Sequence, residues 1–128
     1  MLKIYRLVCA MTEQEGWFPI GVPEFPAGSR SFRNHNPLNL RTSPFMYKQD
    51  DGFAVFKNDT EGLNAAIWDI GQKARGLSAT GLTGLSTLKD LIDIWAPTSD
   101  GNDPNSYLTN VCLMTGFKPD MPLNALLE

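Results

Sequence analysis

A carboxylate stands where an apolar helical run gives way to glycine and tryptophan, in the segment Glu13-Gln14-Glu15-Gly16-Trp17. A carboxyl partly removed from water by an aromatic neighbour holds its proton to higher pH, because desolvation penalises the charged form. Such a group can serve as a general acid near neutral pH. Glu15 is the candidate, with Trp17 and Phe18 as the desolvating rings. Glu13 is its rival, and two residues away on a helix it points to a different side. The plain alternative is an exposed glutamate at a helix end.

About twenty residues on, the run Arg33-Asn34-His35-Asn36-Pro37-Leu38-Asn39-Leu40-Arg41 concentrates amides. Asparagine side chains both donate and accept, which suits hydroxyl and acetamido groups. They also form turns by bonding their own backbone, so a purely structural role has equal weight. Asp50 and Asp51 are candidates for a second carboxylate, since glycosidic cleavage commonly pairs two acids. Their ordinary reading is a hairpin turn. Trp68, Trp95 and Tyr107 could line a groove, but both tryptophans fall at apolar helical positions and read as core.

Other chemistries find little support. His35 is the single histidine, and no cluster has metal-ligand spacing, so neither a metal nor another cofactor is expected. No GxSxG elbow supports a serine nucleophile. Asp100-Gly101-Asn102-Asp103 resembles half of a calcium loop but lacks the later bidentate glutamate, and capping of the last helix accounts for it better. Cys9 and Cys112 read as two buried thiols, with a disulfide between them left open.

These residues need elements to hold them. Leu2 to about Gln14 reads as a helix, with Ile4, Leu7, Val8 and Met11 at helical spacing and Gly16 as its stop. Trp17–Arg33 is rich in proline and glycine and reads as a long surface loop. Asn39–Phe56 reads as a hairpin, with a turn at Gln49–Gly52 and a strand at Phe53–Phe56. A helix follows from Asp59-Thr60-Glu61 to about Ala74, with Leu63, Ala66, Ile67 and Ile70 inward. Another runs from Leu88 to Trp95, started by Ser86 or Thr87 and stopped before Pro97. The last spans roughly Asn105–Thr115, introduced by Pro104 and ended by Gly116. The sum is an α+β chain, mostly α, with one small hairpin after the first helix.

Composition sets the outer limits. The chain has 128 residues, 42% hydrophobic and 20% charged, which fits one globular domain over 1–128. A net charge of −3 does not suit a nucleic-acid partner. No stretch is long and apolar enough for stable membrane insertion. The apolar run Leu7–Met11 is too short for the core of a signal peptide, and no cleavage site follows.

In order, the chain presents a helix ending in Glu-Gly-Trp, a loop, Asn-Pro-x-Asn-Leu-Arg, a hairpin closing in Phe-Ala-Val-Phe and a helix opening Asp-Thr-Glu-Gly-Leu. Trp-Ala-Pro, Asp-x-Asn-x-Tyr and Val-x-x-x-Thr-Gly follow. This order resembles the lysozyme-like peptidoglycan hydrolases and lytic transglycosylases of phage and bacteria. It is nearest to small phage virion or endolysin proteins with a motif of the form NNPGNLR. The resemblance covers roughly Met11 to Phe117. His35 and Leu38 stand where relatives often carry Asn and Gly.

The resemblance implies a lysozyme-like domain that cuts the glycan strand of peptidoglycan by general acid catalysis, without a cofactor. Glu15 would be the acid, and Trp17, Asn36, Asn39, Arg41 and Tyr107 would contact substrate. Hydrolysis and transglycosylation both stay open. So do two readings from other classes: a structural module of a virion or secretion machine, meeting other proteins of that assembly, and a glycan-binding module without activity. With no clear leader, such a protein would be virion-associated, or cytoplasmic with assisted release to the wall.

Overall fold

The computed structural model describes residues 2–98 and 101–128, so Asp100 of the Asp-Gly-Asn-Asp run lies outside the described residues. The chain is mostly helical, with one small antiparallel hairpin. In order come α1 (Leu2–Gln14), α2 (Arg30–Arg33), β1 (Lys48–Asp50), β2 (Phe53–Val55), α3 (Asp59–Ala74), α4 (Leu88–Trp95), α5 (Pro104–Thr115) and a closing 3-10 helix (Leu123–Leu127). Two compact units form, one from Met11–Asp69 and the other from the chain on either side of it. α1 and α3 each contribute turns to both.

The Met11–Asp69 unit buries Met11, Leu38, Leu40, Ala54, Phe56, Ala65 and Ala66. Its hairpin pairs Lys48 with Val55, Gln49 with Ala54 and Asp50 with Phe53. That register leaves Asp51-Gly52 as a two-residue turn, both with positive φ, 50° and 81°. Asp-Gly supplies that geometry, since glycine carries no Cβ penalty and Asp tolerates the left-handed region better than most residues. The strands are shorter than the sequence suggests.

The residues before the hairpin are tied to it. Ala54 N–H donates to the Leu40 carbonyl and Phe56 N–H to that of Asn34, each at 2.9 Å. α3 then crosses close by. A Cβ on Gly62 would fall 1.8 Å from the His35 carbonyl oxygen, so only glycine permits this approach. A His35–Asp59 contact of 2.7 Å closes the same junction.

The segment read as an open loop is organised. Phe18 N–H donates to Ser29 Oγ at 3.0 Å, and Ser29 N–H donates back to the Phe18 carbonyl at 2.9 Å. The ends therefore meet, as in an Ω-loop. Inside, Phe18 stacks on Phe25 with centroids 5.6 Å apart. Ser29 also caps α2, a short helix the sequence reading missed.

The other unit is held by helix caps and a returning tail. Thr87 and Asp90 form a reciprocal capping box at the start of α4. Asp103 caps α5 through the Ser106 N–H, with Pro104 in the first turn. α4 packs on α5. The tail returns to the start of α4, where Leu88 N–H donates to the Met121 carbonyl and Leu123 N–H to that of Ser86. Leu88, Leu91, Ile92, Leu108, Val111, Leu123 and Leu126 are buried in this unit. Arg6 donates to the Thr115 carbonyl and lies over the Phe117 ring. The two cysteines are free thiols, Cys9 exposed and Cys112 half-buried, which corrects the expectation that both are buried. Its place on α1 falls off the Ile4–Leu7–Val8–Met11 stripe.

Candidate functional site

Glu15 continues the hydrogen bonding of α1 by one residue, its N–H donating to the Met11 carbonyl at 2.9 Å. It is half-buried, whereas Glu13 is exposed, so the two acids do part company as helical spacing requires. Asn39 secures the position, since its Nδ2 donates to the Glu15 backbone carbonyl at 3.3 Å. Asn39 itself has φ +52°, and its Oδ1 is buried with no hydrogen-bond partner within the protein. A left-handed backbone and an unsatisfied buried acceptor each cost energy, and such features gather at functional sites. Asn39 thus joins the Asn-rich turn to the residue singled out as an acid.

The rings next to Glu15 in sequence each pair with another aromatic ring. Trp17 meets Phe32 edge to face, with centroids 5.2 Å apart at 73°. Phe18 stacks on Phe25.

Asn36 needs correction. It is 0% exposed, and its amide is consumed by the backbone. Nδ2 donates to the Leu40 and Ala54 carbonyls, and Oδ1 accepts from Leu40 N–H, all at 2.9 Å. It brackets the turn to β2 and has no free polar atom to offer a substrate. Arg41 is exposed, its guanidinium 4.5 Å from the Phe53 centroid, with Arg30 at 4.5 Å from the same ring. Asp51 occupies the hairpin turn and pairs with Arg30 at 3.1 Å. Asp50 is an exposed strand residue. Tyr107, buried on α5 at 8% exposure, belongs to the other unit.

The Met11–Asp69 unit carries a cavity of about 700 Å³, which the sequence reading did not find. The segment before β1 supplies Phe45, Met46 and Tyr47, and Lys57 follows β2. Ser43 shapes the turn that presents Phe45, its Oγ accepting from Phe45 N–H at 3.2 Å. Tyr47 N–H donates to the Val55 carbonyl at 2.8 Å, one rung beyond β1. α3 supplies Glu61, Asn64, Ala65 and Trp68. Their spacing of three, four and seven residues makes one helical stripe, and that was the signal in the sequence.

Trp68 is therefore not core. It is 38% exposed and meets Phe45 edge to face, with centroids 5.3 Å apart at 87°. The buried face of α3 runs instead through Gly62, Ala65, Ala66 and Ile70. Trp95 is half-buried, with Lys73 Nζ 5.4 Å from its ring centre. No group of three or more His, Cys, Asp or Glu able to hold a metal occurs among the described residues. No helix among them is long and apolar enough to cross a membrane.

Set against known proteins, the chain matches no family model, no curated protein and no solved structure.

Proposed function

We propose that the protein cleaves the glycan strand of peptidoglycan, with Glu15 as the general acid. The observation that carries this reading is the join between Glu15 and Asn39. A half-buried glutamate at a helix end is fixed through its own backbone by a strained asparagine that holds a buried, unsatisfied acceptor. The order of motifs in the sequence supplies the substrate class. In this account Glu15 passes its proton to the glycosidic oxygen as the bond from the anomeric carbon to that oxygen breaks. Water, or the sugar's own 6-hydroxyl, then attacks the anomeric carbon and gives its proton to the Glu15 carboxylate, which restores the acid. Asp51 is a poor second acid, because Arg30 neutralises it in an exposed turn.

Mass spectrometry of digested purified walls tests the reading. A reducing end marks hydrolysis, and an anhydro-sugar end marks transglycosylation. Intact glycan strands after prolonged digestion would contradict cleavage.

One observation favours a second reading, a glycan-binding module without activity. Glu15 is not among the residues that line the aromatic cavity, so ring binding does not require it.

A further inference from the structure

Three large aromatic side chains lie together on the Met11–Asp69 unit and face solvent: Phe45 at 51% exposure, Tyr47 at 61% and Trp68 at 38%. Contiguous exposed apolar surface of this kind is characteristic of binding sites. Phe45 and Trp68 stand nearly perpendicular and form a corner. The cavity volume, about 700 Å³, falls within the range of pockets for small molecules.

The polar groups narrow the class of ligand. Lys57, Glu61 and Asn64 share the lining with the three rings. One cation and one anion leave the cavity without net charge. Lys57 and Lys48 already stand over the Tyr47 ring, with Nζ atoms 5.7 and 5.9 Å from its centre. A cationic ligand would compete with them there, so a simple aromatic cage for an ammonium group fits poorly. A neutral ligand with apolar faces and a hydrogen-bonding edge fits better. A pyranose ring has C–H faces for the aromatics and hydroxyls for a carboxylate and an amide. An acetamido substituent adds one donor and one acceptor, which Asn64 can match.

We infer that the Phe45–Tyr47–Trp68 cavity is a second sugar site, separate from Glu15, that takes N-acetylated hexosamine rings. The identity of the sugar rests on the glycan reading above, whereas ring binding at the cavity does not depend on cleavage. The site holds a strand without acting on its bonds.

Calorimetric titration of the full chain with soluble N-acetylglucosamine oligomers tests this, in a Glu15→Gln background so that no product forms. Glu15→Gln is expected to bind. Adding Trp68→Ala should weaken binding about tenfold or more, as for one lost aromatic contact in a pocket. Asn64→Ala, at an exposed position, should weaken it by a smaller factor with no change in melting temperature. If Trp68→Ala does not fold, Trp68→Phe and Asn64→Ala carry the test.

Affinity that survives all of these changes would place the sugar elsewhere and overturn the inference, and so would absence of binding. Those results leave cleavage standing if wild-type protein still cuts walls. Binding that depends on Trp68, in a protein that never cuts walls, would sustain the cavity and remove the catalytic reading.

Discussion

Asn36 and Asn39 lie three residues apart in the same turn, yet the structure gives them opposite work. Asn36 spends every polar atom on backbone groups, whereas Asn39 keeps a buried Oδ1 unused beside Glu15. Replacing Asn36 with Ala would remove the side-chain partners of the Leu40 N–H and the Ala54 carbonyl, whereas the Leu40 carbonyl keeps the Ala54 N–H, and each stranded buried group costs about 1–3 kcal/mol. A clear fall in melting temperature is expected, with lost activity following lost structure. An unchanged melting curve with weakened glycan binding would return Asn36 to the substrate. The sequence located this turn but could not divide its labour, because an asparagine that brackets a turn and one that faces a ligand are the same residue type. Trp68 was misplaced for a related reason. A large ring at a helical position resembles core, and only the Glu61–Asn64–Ala65–Trp68 stripe reveals a mixed face.

Among the elements, the closest approach is that of α3 to the turn at His35. Gly62→Ala must push the helix or the turn aside, because the added methyl meets backbone and not a flexible side chain. Overpacking of this kind costs about 1–3 kcal/mol or more. Chemical denaturation should show that loss, and a stability equal to wild type would mean the junction yields freely. In the other unit, Thr87→Ala breaks the capping box of α4. It should cost about 1 kcal/mol, the usual value of a side-chain N-cap, and leave activity intact.

Asp103 caps α5, and the Ser106 side chain and backbone hold its carboxyl below the usual 3.8. Its contribution is thus present above that pH and fades as pH falls through the lower folded value. Acid unfolding of Asp103→Asn should lack this component. An acid limb identical to wild type would show that the cap does not depend on charge.

Helix starts and stops were legible because they rest on local chemistry: Thr87, Asp103 with Pro104, and Gly116 each mark a boundary within a few residues. The hairpin turn was legible for the same reason, through Asp51-Gly52. The closure of 18–29 was not, since it depends on Phe18 and Ser29 meeting across eleven residues. Nothing in either residue announces the other.

For the whole molecule, the mostly helical composition with one hairpin follows the sequence pattern, and the division into two compact units does not. α1 and α3 read as uninterrupted helices, and periodicity carries no mark of a boundary within a continuous helix. A net charge of −3 gives no general attraction to an anionic wall, so recognition would rest on local groups such as those around Glu15 and the aromatic cavity. Turbidity clearing of purified cell walls by wild type, Glu15→Gln and Glu13→Gln tests the central claim most directly. Loss of a general acid typically lowers rate by about 10²–10⁴-fold, so Glu15→Gln should be slowed by that order while keeping the wild-type melting curve, and Glu13→Gln should clear walls as wild type does. Full clearing by Glu15→Gln, with loss in Glu13→Gln or with no dependence on either acid, would contradict the assignment.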